Sequence, residues 1–129
     1  MKHFGWAFLW AMVVVLFCIA PQSDFQELPR FEGIDKLVHT GFFFVFTVLM
    51  YYGAIRRSNI FGCSMAVHFY VLLFACLFAL FTEFLQWKFF TYRSADIWDL
   101  FADLVGIGMG MFAYLTFYLG NYYTQLPKK

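Results

Sequence analysis

The chain has 129 residues, of which 63% are apolar and 25% aromatic, while 13% are charged, about half the charged share of a soluble domain. Twenty Phe, eight Tyr and four Trp are more than the interior of so small a body can hide, so many must face lipid. A net charge of +1 with no run of basic residues leaves no electrostatic footprint for nucleic acid, and no nucleic-acid partner is expected.

Four stretches carry no charged residue: 4–20, 37–55, 58–82 and 104–127. At about 1.5 Å of rise per residue each is long enough to cross a hydrocarbon core, the first only just. The predicted fold is therefore all-α, an integral membrane four-helix bundle forming a single domain over 1–129, with helices at about 4–20, 37–55, 60–87 and 98–123. Barrel strands would alternate in polarity, and Phe42-Phe43-Phe44-Val45-Phe46 does not.

Lys2 and His3 precede the first apolar run, as in a secretory signal, but Pro21 directly follows Cys18-Ile19-Ala20 and disfavours cleavage there. Bulky Phe17 stands where a lipoprotein site at Cys18 would want a small residue, so a retained first helix is expected. Residues 21–34 hold two prolines and mixed charge and read as a loop. The second helix opens with Asp35, Lys36 and His39 and ends at the basic turn Arg56-Arg57-Ser58-Asn59.

In the third helix His68 sits alone among apolar residues and reads as structural. Glu83 and Gln86 follow 25 residues without a charge. Trp87, Tyr92 and Trp98 read as an interfacial aromatic belt. The fourth helix is preceded by Arg93; Asp96 is placed to cap it and Asp99 to sit in its first turn, roles that need no function. Gly106 and Gly110 form a G-x-x-x-G pair that lets helices approach closely. Cys18, Cys63 and Cys76, odd in number and lacking C-x-x-C spacing, read as small buried hydrophobes.

Orientation follows from the basic residues. Lys2, Arg56, Arg57, Lys128 and Lys129 fall on one side of a four-pass chain, while Arg30, Lys36, Lys88 and Arg93 share the other with all eight carboxylates. The purely basic side is expected to be cytoplasmic, with both termini. Three helix ends then bring Asp35, Lys36, His39, Glu83, Gln86, Arg93, Asp96, Asp99 and Asp103 to the extracytoplasmic face. Spacings of three, four and seven put each helix's set on one stripe. Glu83 and Asp103 lie about a turn inside the apolar boundary, where an ionised group costs up to about 2.5–3.5 kcal/mol at full depth, so partners are expected.

These residues carry a resemblance. Asp35-Lys36-x-x-His39, then Glu83-x-x-Gln86, then Arg93-Ser94-x-Asp96-x-x-Asp99-x-x-x-Asp103-x-x-Gly106-x-x-x-Gly110 resembles the VanZ-like family of small bacterial membrane proteins over roughly residues 30–112. Three departures stand out: Asp103 where the family usually has Asn, Phe43 where it often has Tyr, and Thr91-Tyr92 in place of a Pro-Gly before the arginine. The resemblance implies an integral membrane protein in a family some of whose members are linked to low-level teicoplanin resistance.

The pocket residues with Lys88 sum to three positive and five negative charges with His39 neutral. That excess of acid suits a ligand bringing a cation, or carboxylates that are partly protonated. The first expected role is binding of an envelope-lipid or glycopeptide-like headgroup, with Arg93 and Lys36 on phosphate or carboxylate. The second is a membrane-embedded hydrolase or transferase using His39 and Glu83 as catalytic groups. The third is a structural subunit of a larger membrane complex. Absence of an H-x-x-x-H or H-E-x-x-H pattern gives no metal signature, and no cofactor is expected.

Overall fold

The computed structural model describes residues 2–19, 33–58, 64–89 and 97–119. All regular structure there is helical: a 3-10 turn at Lys2–Phe4, α1 (Gly5–Ile19), α2 (Ile34–Ser58), α3 (Met65–Phe89) and α4 (Ile97–Tyr114), continued by a π-helical turn at Leu115–Leu119. Three helices, α2, α3 and α4 with its continuation, are long and apolar enough to cross a membrane. α1 is apolar throughout but has 15 residues, a rise of roughly 22 Å against a hydrocarbon core of about 30 Å. Among the described residues, four helices are thus present as expected, and three of them have the length and apolarity for a crossing.

α3 shows how these residues divide between lipid and protein. Its buried stripe is Val71, Ala75, Ala79, Thr82, Glu83 and Gln86, small or polar residues, while Phe69, Phe74, Leu77, Phe81 and Phe84 are exposed. Lipid tails are as apolar as Leu, so large rings gain little by leaving them, and small side chains are what allow helix backbones to approach. The Thr82 hydroxyl donates to the Ala79 carbonyl at 2.8 Å, satisfied within its own helix.

The most extensive helix pair is α2 with α4, and two glycines make it close. A Cβ on Gly106 would run into the Thr40 carbonyl oxygen and lie 3.0 Å from the Phe44 nitrogen; one on Gly110 would meet Thr47 Cβ at 2.8 Å and the Phe44 carbonyl oxygen at 3.0 Å. The Thr40 hydroxyl crosses the same seam, 2.9 Å from the Lys36 carbonyl and 3.1 Å from that of Ala102. Gly108, between the two, belongs to the other face: a Cβ there would have nothing within 4 Å.

α1 lies on α2 and α3 through a stripe of small residues, Ala7, Val14 and Cys18. Its Trp10 indole donates from Nε1 to the Phe42 carbonyl at 3.0 Å, with the two rings edge-to-face at 6.0 Å. Trp10→Phe, which keeps an aromatic ring but loses the donor and the pyrrole half of the indole, is expected to destabilise the protein by about 1 kcal/mol or more; thermal unfolding in detergent would measure it. Gly33, at φ 93°, starts α2 in a conformation that favours glycine, and its carbonyl accepts from Leu37 N at 3.1 Å.

At the far end of α2, Tyr51 stacks on Tyr114 at 4.3 Å and 9°, and His68 Nδ1 is 3.1 Å from the Tyr51 hydroxyl. His68 is therefore tied into an aromatic cluster, consistent with a structural role. In the same half, an apolar crevice of about 740 Å³ opens between α1, α2 and α3, lined by Ala7, Phe46, Met50, Val71 and Phe78 with Arg57 as its charged residue.

Candidate functional site

The polar residues gather at the opposite end. α2 enters the bundle with Asp35, Lys36 and His39, α3 leaves it with Glu83 and Gln86, and α4 enters with Asp99 and Asp103. The up-and-down course of consecutive helices brings an entry, an exit and a second entry to one level. The α2–α4 seam then sets their rotation: where Gly106 meets the Thr40 backbone, Thr40 directly follows His39 and Gly106 lies about one turn after Asp103.

His39 Nδ1 and Asp103 Oδ1 are 2.9 Å apart, joining residues 64 positions apart in the chain. His39 is 5% exposed, Glu83 7% and Asp103 0%. One ligating atom from each of these three side chains lies within 4.8 Å of the others. Asp103 uses one carboxylate oxygen on His39; the other, Oδ2, is buried and has no hydrogen-bond partner among the described residues.

Lys36 sets the outer edge, with Nζ 3.5 Å from Asp99 Oδ1 and a side chain that is 44% exposed while that of Asp99 is buried. Asp99 also stands in the first turn of α4, where a carboxylate is stabilised by the helix N-terminus. It therefore serves both the helix and an inter-helix pair. Gln86 is buried on the stripe of Glu83, and Asp35 is half-buried at the start of α2. Trp87 and Trp98 are exposed at this end, as an interfacial belt requires. Arg93, Asp96 and Tyr92 lie outside the described residues.

The arrangement can do two things chemically. It presents an imidazole held by a carboxylate, which fixes the ring for proton transfer or ligation. It also places two acids and an imidazole from three helices around one point, a donor set that could hold a metal. Local spacing cannot reveal such a set, because each helix supplies a single member. Sequence reasoning also misses Thr40, whose signal is a small β-branched residue on the helix facing the G-x-x-x-G pair.

Apolar helices that turn their rings outward and enclose acids, an imidazole and an amide at one end define a helical membrane protein with a buried polar site. A family model described as VanZ/LLP1 matches residues 4–118, and the chain belongs to that family. The match extends beyond the polar motifs to include α1. No curated protein and no solved structure matches the chain.

Proposed function

We propose that this VanZ/LLP1 protein is a multi-pass protein of the bacterial cytoplasmic membrane whose polar pocket, at the extracytoplasmic end of α2, α3 and α4, binds the headgroup of an envelope lipid or a glycopeptide-like molecule. The observation that carries this reading is the burial of His39, Glu83, Gln86, Asp99 and Asp103 at one end of an otherwise apolar bundle. Intramembrane ionisable residues are costly and mark ligand or ion pathways by default. Exposed Trp87 and Trp98 flank that end, where a headgroup would enter. Arg93 and Lys36 supply the cations for its phosphate or carboxylate, and a link to glycopeptide resistance follows if that ligand is a cell-wall precursor.

Native mass spectrometry of protein extracted from bacterial membranes tests this reading. Wild-type protein is expected to retain a phospholipid or lipid-linked precursor. Arg93→Ala is expected to lose it, and Arg93→Lys to retain less, because the lysine keeps charge but not the bidentate fork. Equal retention by wild type and Arg93→Ala would overturn the reading. The 2.9 Å contact of His39 with Asp103 favours one second reading, a hydrolase or transferase in which His39 is general base and Glu83 acid. Turnover of lipid extracts that disappears in His39→Ala would select it.

A further inference from the structure

We propose that His39, Glu83 and Asp103 form a binding site for a divalent transition-metal cation, with Zn²⁺ the ion that best matches the donors. The inference deepens the pocket reading above and rests on it for the ion's route from the interface.

Donor chemistry narrows the ion. One imidazole nitrogen and two carboxylate oxygens form a mixed N/O set; Mg²⁺ and Ca²⁺ prefer oxygen alone, whereas imidazole with carboxylate suits Zn²⁺ and its first-row neighbours. Three protein ligands with a fourth position left for water or a headgroup oxygen is the pattern of open zinc sites. Geometry is close to what ligation needs. Ligand bonds of about 2.0–2.2 Å at tetrahedral angles put donors about 3.3–3.6 Å apart. The 2.9 Å pair of His39 and Asp103 must open slightly, and no donor pair exceeds 4.8 Å. A change in side-chain torsion of Glu83, the longest of the three, covers the remainder.

Charge and hydrogen bonding point the same way. Glu83 and Asp103 bring two carboxylates into a layer shielded from water, and a dication with a neutral imidazole makes that group of ligands neutral overall. Asp103 Oδ2 is a buried acceptor that no hydrogen bond uses among the described residues; leaving an acceptor so is costly, and bidentate coordination of the carboxylate, through Oδ2 as well as the Oδ1 that faces His39, removes that cost. Each ligand sits on a different helix, and the α2–α4 seam at Gly106 and Thr40 holds two of them in place, so the site is organised before an ion arrives.

Cobalt substitution tests it. Purified full-length protein in detergent, stripped with a chelator, would be titrated with Co²⁺ while its visible absorption is followed, and then with Zn²⁺. The expected result is one Co²⁺ per chain with the intense bands of low coordination number, bleached by one equivalent of Zn²⁺. His3→Gln, which removes an exposed histidine at the other end, should bind as wild type does. His39→Gln and Asp103→Asn should weaken Co²⁺ binding by about a hundredfold or more, at or beyond the upper end of the effect of losing a group behind the ligands. If a variant fails to unfold cooperatively, the wild-type titration and its reversal by Zn²⁺ decide alone. A wild-type protein that unfolds cooperatively yet gives no bands, or bands unchanged in both site variants, would overturn the proposal. Headgroup retention without metal binding would leave the pocket reading standing and remove the metal; metal binding by protein that retains no headgroup, even when loaded with Zn²⁺, would do the reverse.

Discussion

Gly106→Ala is expected to destabilise the protein by about 1–3 kcal/mol, the cost of forcing extra methylenes into a packed interior, whereas Gly108→Ala should leave it unchanged or slightly more stable. The added methyl at Gly106 meets main chain, the Thr40 carbonyl oxygen and the Phe44 nitrogen. A backbone inside a helix cannot rotate aside as a side chain can, so α2 and α4 must move apart. Separation weakens the seam along its length, including the bond from the Thr40 hydroxyl to the Ala102 carbonyl at 3.1 Å. At Gly108 a methyl has nothing within 4 Å, and alanine favours helix over glycine by up to about 1 kcal/mol. The same chemical change two residues away therefore has the opposite sign. Unfolding midpoints of both variants in one detergent would check it, and equal midpoints would mean that the close approach of α2 and α4 is not what holds the pair. Because His39 adjoins Thr40 and Asp103 lies about one turn before Gly106, Gly106→Ala should also impair whatever the pocket binds, while Gly108→Ala should not.

What the sequence reveals of the site is its level, and what it conceals is its pairing. Charge-free stretches alternate with charged ones, and an alternating chain must bring the start of α2, the end of α3 and the start of α4 to one end. Periodicity within each helix then selects a stripe, so Glu83 with Gln86 and Asp99 with Asp103 are legible as sets. Which stripe meets which depends on rotation between helices, and that is fixed by contacts such as Gly106 on Thr40 in which one member is inconspicuous in sequence. His39 with Asp103 and Lys36 with Asp99 join positions 64 and 63 residues apart, beyond the reach of any local rule.

Replacing His39 by leucine is expected to be the most damaging single change in the metal-free protein, at about 3–5 kcal/mol, the usual cost of removing one partner of a buried pair. Asp103 is 0% exposed, and its Oδ2 has no hydrogen-bond partner among the described residues. His39 Nδ1, at 2.9 Å, is what its Oδ1 contacts. Take the imidazole away and a desolvated carboxylate loses that support, in an interior where water does not replace it. Leucine fills most of the space, so the loss is electrostatic more than a matter of packing. The second substitution should therefore undo part of the first: His39→Leu with Asp103→Leu removes the carboxylate that was left behind, and replacing both partners of a buried pair by apolar residues is less damaging than removing one. The double variant is expected to be more stable than His39→Leu alone, with a coupling of about 1–3 kcal/mol between the two sites. Equilibrium unfolding of the four proteins in mixed micelles, each treated with chelator beforehand, measures that coupling. Strictly additive losses would mean that His39 and Asp103 do not act as a pair, and the electrostatic account of the buried end would fall with them.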